Sequence, residues 1–226
     1  AGSRFSHFVA HGFRVSEIDQ IDGFLKNAPD AKQTVDAYVF RISLDCSPWE
    51  DVQELHRLMS ERNTTAIVNI RLASENPAEY ITDDRKLANQ VAEAVLVGYA
   101  YDDVSVFIDT FMDLDRGYFP RHGLFDRRFN PRPASFVFKY LQSTILGVGS
   151  DVKLGERYKA AGGLVCAFEM AGRDCWLLLP DTGAMAISGI DVPRPVTVID
   201  LLTGIVGPES NVAGNEIKGP ALLISN

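Results

Sequence analysis

Long apolar runs are missing from this sequence. No stretch of its 226 residues approaches the roughly 18 apolar residues of a membrane-spanning helix, so no such span is expected. Basic residues are also in deficit: 22 Lys and Arg stand against 30 Asp and Glu, a formal charge of −8. A nucleic-acid surface needs a concentrated basic stripe to offset phosphate. The basic cluster Arg116, Arg121, Arg127, Arg128 and Arg132 has Asp113, Asp115 and Asp126 interleaved with it. That pattern predicts local pairing, or contact with a polar or acidic ligand, rather than phosphate binding.

Cysteine and histidine are scarce. Cys166 and Cys175 could face each other across a hairpin turning at Ala171-Gly172-Arg173, forming a disulfide in an oxidising compartment; two unpaired core thiols fit the sequence equally well. Cys46 reads as a free thiol, with no histidine close by to activate it. His7 and His11 sit in a Phe-rich, strand-like segment rather than flanking a glutamate on a helix, and His56 falls in a helix, so no zinc-protease pattern exists. Gly147, Gly149 and Gly155 follow a helix rather than a strand, which excludes a phosphate loop. No metal site and no cofactor are expected. Asn63-Thr64-Thr65 is a formal glycosylation acceptor and favours a secreted or cell-surface setting, although so common a tripeptide decides nothing. A chain that opens on Ala1, with no targeting pattern behind it, reads as processed or trimmed.

What is present is an apolar content of 46%, enough for a sizeable core. The first part alternates strand and helix signals. Segment 6–13 is strand-like, and Val15, Ile18, Ile21, Phe24 and Leu25 then recur at helical spacing. Segment 35–44 is the next strand, after which Ser47-Pro48 opens a helix carrying Val52, Leu55, Leu58 and Met59. Strand 65–72 precedes a helix capped by Thr82-Asp83-Asp84, with Leu87, Val91, Ala94 and Val95 on its apolar side. Strand 104–109 and a helix from Ala134 to about Leu146, with Phe136, Val137, Tyr140 and Leu141 inward, complete the series. Repeated β–α units with near-continuous apolar strands predict a parallel sheet covered by helices.

Beyond Gly147 the pattern changes. Segment 163–180 reads as two strands around a tight polar turn, and 184–189, 195–204 and 221–226 as further short strands, giving an antiparallel β module. A boundary is expected at about residues 147–157, dividing the chain into 1–148 and 157–226.

Segment 103–135 is the most informative. An apolar strand there breaks into a polar, acid-rich loop, and strand ends of that kind carry the chemistry of α/β barrels. Asp109, Asp113, Asp115, Tyr118 and His122 would border a concave site; a solvated loop closing a core strand is the plainer reading. Trp49, Tyr80, Tyr118 and Phe119 are candidate stacking platforms for a ligand's apolar face, with core or rim packing as the default. Yet only about four β–α units are present, where a closed barrel needs eight. Four parallel strands open at both edges would expose unpaired backbone.

The stretch from about Ser74 to Thr144 resembles the closing portion of clan-A glycoside hydrolases, the retaining (β/α)8 enzymes that include β-xylosidases and α-L-iduronidase. The residues that carry the likeness are the cap Ile81-Thr82-Asp83-Asp84, the strand Val104–Asp109 and the closing segment Gly123-Leu124-Phe125-Asp126-Arg127-Arg128-Phe129-Asn130-Pro131-Arg132-Pro133-Ala134. Val35–Tyr38 looks like the start of the sixth barrel strand and Thr65–Leu72 like the seventh. Val198–Gly204 is similar to the middle strand and turn of the small β domain such enzymes carry. The resemblance implies the C-terminal half of a (β/α)8 TIM barrel, strands five to eight, followed by a small antiparallel β-sandwich. It also implies that a second polypeptide supplies the other half, and that the ligand is an oligosaccharide or polysaccharide.

A retaining glycosidase needs two carboxyl groups about 5–5.5 Å apart. The family places its nucleophilic glutamate at the end of strand seven, where this sequence has Asn69-Ile70-Arg71-Leu72. The nearest carboxylate is Glu75, the catalytic candidate if a loop returns it; a polar rim or capping role is the alternative. Arg71 could hold an acidic sugar through its bidentate fork or neutralise Asp109, and Arg41 could act similarly. Neither guanidinium gives up a proton near neutrality. The chain is thus either an enzyme part or a relative that has lost hydrolysis and serves as a glycan-binding or structural subunit.

Overall fold

The computed structural model describes residues 7–27, 35–76, 83–113, 122–181, 183–212 and 215–226. Strands β1 (His7–Phe13), β2 (Val35–Ile42), β3 (Thr65–Ile70) and β4 (Val104–Ile108) pair in that order, all parallel. Helices α1 (Ile18–Asn27), α2 (Pro48–Arg62), α3 (Asp84–Val97) and α4 (Pro133–Val148) follow them. Their starts have local causes. The Ser47 hydroxyl accepts from the Glu50 N–H with Pro48 in the first turn, and the Asp83 carboxylate accepts from the N–H groups of Arg85 and Lys86. Pro133 opens α4 after an extended Arg132.

The strands bury one face. Tyr38, Phe40 and Ile42 of β2, Ala66, Val68 and Ile70 of β3, and Val104 of β4 form one core with Trp49, Val52, Leu55 and Met59 of α2, Leu87 and Val91 of α3, and Val137 and Leu141 of α4. Ile18 of α1 joins that core, and Asp22 accepts from Arg62 of α2, so α1 lies on the same side. The alternate residues of the strands form the opposite face: Val39 and Arg41, then Ile67 and Asn69, then Ser105 and Phe107. No helix of the described residues packs there, and Phe107 is 55% exposed.

The second part is antiparallel. Strands β5 (Val152–Ala160), β6 (Gly163–Met170), β7 (Arg173–Pro180), β9 (Val196–Asp200), β10 (Val206–Pro208) and β12 (Ala221–Ser225) make one sheet in the order β10-β9-β12-β7-β6-β5. Strands β8 (Met185–Ala186) and β11 (Glu216–Ile217) form a two-stranded ribbon. One face of the sheet, with Cys166, Phe168, Leu177, Leu222 and Ile224, belongs to the helix core. The other, with Val165, Trp176, Leu178, Val198 and Leu223, packs on Met185, Ile187, Ile190 and Ile217. The chain is therefore a mixed α/β structure with a parallel and an antiparallel sheet. No described helix is long and apolar enough to cross a membrane.

The β6–β7 hairpin turns at Ala171-Gly172, both at positive φ, the backbone of a two-residue mirror-type turn. Its register sets Cys166 opposite Leu177 and Cys175 opposite Phe168, a diagonal rather than a facing pair. Both thiols are free and buried, and burial pushes each up to about 12; Cys46 is free and exposed. Of the two cysteine alternatives, the core thiols are the ones observed. Strand β5 was not read from the sequence, and it begins inside the stretch 147–157 taken as a boundary. It is an edge strand, it alternates poorly, and its register shifts between Leu154 and Arg157 around Gly155, so period two is hidden.

Candidate functional site

The carboxyl ends of the parallel strands carry a charged cluster. Arg14 directly follows β1. Arg41 lies near the end of β2, its aliphatic stem crossing Gly12 of β1, where a methyl group would already stand 3.6 Å from the Arg41 Cδ. Arg71 directly follows β3, and its N–H donates to the Ile42 carbonyl at 2.8 Å. Arg71 shares the parity of Ile67 and Asn69, which puts it on the face turned away from the helices.

Glu75 comes back to this cluster through a short, tied loop. The Ser74 hydroxyl donates to Asp45 Oδ2 at 2.7 Å, the Glu75 N–H donates to the same oxygen at 2.8 Å, and the Asn76 N–H donates to Ser74 Oγ at 3.1 Å. Burial pushes the Asp45 carboxyl up, but the Glu75 N–H, the Ser74 hydroxyl and Lys86 outweigh it and hold it below its ordinary range. The loop in turn sets the Glu75 carboxylate 2.9 Å from Arg14 Nη2 and 3.7 Å from Arg41 Nε. Glu75 is thus at the strand ends, as a loop return requires, and its charge is shared between two guanidinium groups. Arg41 Nε and Arg71 Nε are both buried, with no hydrogen-bond acceptor among the described residues.

The polar residues after β4 divide. Asp109 is exposed at the strand end, its N–H bonded to the Ile70 carbonyl at 3.0 Å. Asp113 is turned into its own loop, where its carboxylate accepts from the Gly123 N–H at 2.8 Å and from Arg132 Nε at 3.2 Å and Nη2 at 2.5 Å. Burial raises the Asp113 carboxyl, and the Arg132 and Gly123 hydrogen bonds overcome that and lower it. His122 is buried beside it, Nδ1 4.0 Å from Asp113 Oδ1. Asp115, Tyr118, Tyr80 and Phe119 lie outside the described residues. Trp49 is 2% exposed in the helix core, so it is no sugar platform. His56 Nδ1 donates to the Asp103 carboxylate at 2.7 Å and its ring stacks on Tyr101, away from the strand ends. Among the described residues no group of His, Cys, Asp and Glu could hold a metal ion.

The closing segment 123–134 has a physical logic of its own. A methyl group on Gly123 would lie 2.5 Å from the Met112 carbonyl carbon, so only glycine lets the two backbones pass. Asp126 accepts from the N–H groups of Arg128 and Asn130 and from the Asn130 side chain, and Phe129 turns the chain at φ 62. The Arg132 N–H then donates to the Leu124 carbonyl, aiming Pro133 into α4. Beside this segment runs an apolar groove of about 620 Å³, between the free edge of β4 and the start of α4, walled by Phe107, Phe111, Phe125, Phe136 and Phe138. Phe136, read as inward-facing, lines this groove.

No family model matches the sequence, and no curated protein matches it. Solved structures do. A family 39 glycoside hydrolase from the gut symbiont Bacteroides cellulosilyticus WH2 superposes with a TM-score of 0.60 at 16% identity, over 90% of this chain and 47% of that one. The fold is glycoside hydrolase-like. A glucosidase from Croceicoccus marinus is more distant, with a TM-score of 0.49 at 14% identity over 90% of this chain and 56% of that one. The chain spans about half the length of the family 39 structure, so what it matches is part of that fold.

Arg14 and Asp45 were not singled out from the sequence. The one signal for Arg14 was its place directly after an apolar strand, where a barrel presents functional side chains. Asp45 acts through Ser74 and the Glu75 backbone, and nothing in the spacing of residues announces that contact.

Proposed function

We propose that this chain is the C-terminal half of a (β/α)8 glycoside hydrolase-like barrel, strands five to eight in residues 1–148, followed by a small β-sandwich whose first strand is β5, so that it starts at Val152 rather than at the expected 157. In this reading another polypeptide supplies the remaining strands, and the completed particle holds an oligosaccharide or polysaccharide at the strand ends. One observation carries it. A parallel sheet is normally buried on both faces, whereas here the four described helices crowd one face and Val39, Ile67, Asn69 and Phe107 are left without a helix over them among the described residues. Among the described residues the outer strands β1 and β4 each have one neighbour only, an arrangement that exposes backbone donors and acceptors to further pairing. The likeness of segment 123–134 to β-xylosidases and α-L-iduronidase supports the finer family reading.

The alternative, a glycan-binding or structural subunit without hydrolysis, is favoured by the state of Glu75. A nucleophile has to offer a lone pair to the anomeric carbon, and this carboxylate is held by Arg14 and approached by Arg41. Intact mass of the purified particle tests the assembly: a second polypeptide beside the 24.9 kDa chain is expected, and a well-folded solitary monomer refutes it. Glu75→Gln tests the chemistry. Loss of turnover with folding intact would make Glu75 catalytic, while an active Glu75→Gln protein would remove it from the mechanism.

A further inference from the structure

Strand β4 has no described neighbour on its outer side, and an apolar groove runs along that edge. In a parallel pair, alternate residues bond to one neighbour and the residues between them face the other way. The Ala66 N–H donates to the Asp103 carbonyl and the Asp109 N–H to the Ile70 carbonyl, so the odd-numbered residues of β4 serve β3. The N–H and C=O groups of Val106 and Ile108 therefore point to the outer edge. The helices advance in one direction: α2 follows β2 and packs on β3, and α3 follows β3 and packs on β4. Crossovers of one hand set each helix over the strand that comes next. By the same step α4, which follows β4, overlies the position beside β4. Its Val137, Leu141 and Ile145 are buried in the core, while Phe136 and Phe138 on its flank wall the groove of about 620 Å³.

We propose that this edge and groove seat one β-strand of the complementing polypeptide, laid parallel to β4. Val106 and Ile108 supply the backbone pairing. The groove takes the alternate side chains that the incoming strand turns toward α4, and these must be large and apolar to fill a space walled by phenylalanines. Its other side chains fall beside Phe107 on the opposite face of the sheet. The occupant is thus a near-continuous apolar strand, the kind that parallel sheets bury on both faces. A helix would leave the edge unpaired, because its own N–H and C=O groups are used internally. This inference rests on the assembly reading above and adds to it the edge at which the partner enters and the element it brings.

Amide hydrogen exchange resolved by residue, on the purified particle and on the chain separated from it, tests the seat. In the separated chain the Val106 and Ile108 amides should exchange at least about tenfold faster than those of Phe107 and Asp109, which are bonded to β3. In the particle they should slow to match them. Phe136→Lys should weaken association at least about a hundredfold, the effect of stranding a charge in the filled groove, and Phe136→Leu, which keeps the groove apolar, should retain most of it. A particle that holds a second polypeptide while its Val106 and Ile108 amides exchange as in the separated chain would overturn this seat and leave the assembly reading standing. Undiminished association of the Phe136→Lys chain would overturn the part given to the groove. A solitary monomer would overturn both proposals: with fast amides because nothing docks, and with slow ones because the chain shields its own edge.

Discussion

Arg157 on β5 and Glu93 on α3 lie 64 residues apart and meet at 3.1 Å, tying the antiparallel sheet to the helix layer. The Glu93 carboxylate is almost wholly enclosed and also accepts from the Ser47 hydroxyl and the Trp49 N–H; Arg157 reaches Glu50 as well. Removing one member of such a pair strands the other in a low-dielectric site, at a cost of about 3–5 kcal/mol. Arg157→Met should therefore destabilise the chain by about 3 kcal/mol in urea unfolding. Adding Glu93→Leu should restore part of that loss rather than deepen it. Additive losses in the double variant would show that the two residues act separately.

A second tie joins the sheet to α4. The turn after β9 is closed by Asp200, whose carboxylate accepts from the N–H groups of Leu202 and Thr203, and it ends on Gly204 at φ 74. A methyl group there would lie 2.3 Å from the Tyr140 ring. Gly204→Ala combines a left-handed backbone penalty of about 1–2 kcal/mol with an overlap of similar size, so a loss of about 3 kcal/mol is expected. Trimming the ring should recover the overlap alone. If Gly204→Ala costs the same in a Tyr140→Ala background, the ring contact is not the cause.

Asp51, in the first turn of α2, sets a pH dependence opposite to that of the paired carboxylates. Burial, and then the negative charges of Glu50 and Glu93, push its carboxyl up from 3.8 to about 6. The folded state therefore binds a proton more tightly than the unfolded chain, and this stabilising contribution is full below about pH 4 and lost as pH rises through about 6. Two pH units correspond to about 3 kcal/mol; screening of a partly exposed group reduces that to about 1 kcal/mol. Asp51→Asn should be more stable than the parent at pH 7 by about that amount and equal to it at pH 4. A constant difference across that range in paired unfolding curves would contradict the assignment.

How far these features could be read from the sequence depends on how local their causes are. The parallel strands and their helices announce themselves through caps such as Ser47-Pro48 and Asp83 and through apolar periodicity, and all four strands lie within the expected segments. Strand β5 escaped because an edge strand of charged residues with a bulge at Gly155 has no apolar alternation to display. At the strand ends, Arg41, Arg71 and Glu75 could be picked out one by one, but their mutual arrangement comes from a loop folded by Asp45, thirty residues away. Asp113 and His122 show the converse. An acid and a histidine in a loop after a strand read as site residues, and the carboxylate of Asp113 is instead engaged with Arg132 and the Gly123 N–H. Composition cannot separate a carboxylate facing a ligand from one that fastens its own loop.

Phe107 gives the sharpest test of the missing strands. It stands 55% exposed on the sheet face opposite the helices, in one row with Asn69 and Arg41. If strands from another polypeptide cover that face, a lysine at this position would be buried unpaired in the completed particle, and the penalty of about 3–5 kcal/mol for a stranded charge corresponds to an association weakened by at least about a hundredfold. The isolated chain would hardly notice, because exposed substitutions usually shift stability by no more than about 0.5 kcal/mol. Phe107→Lys should thus leave the melting temperature of the separated chain unchanged while abolishing co-elution with its partner in size-exclusion chromatography. Ile205→Lys, at a 69% exposed position after β9, is the matched control and should co-elute like the parent. Co-elution of the Phe107→Lys chain with undiminished affinity would mean that this face stays open, and the half-barrel reading would fail with it.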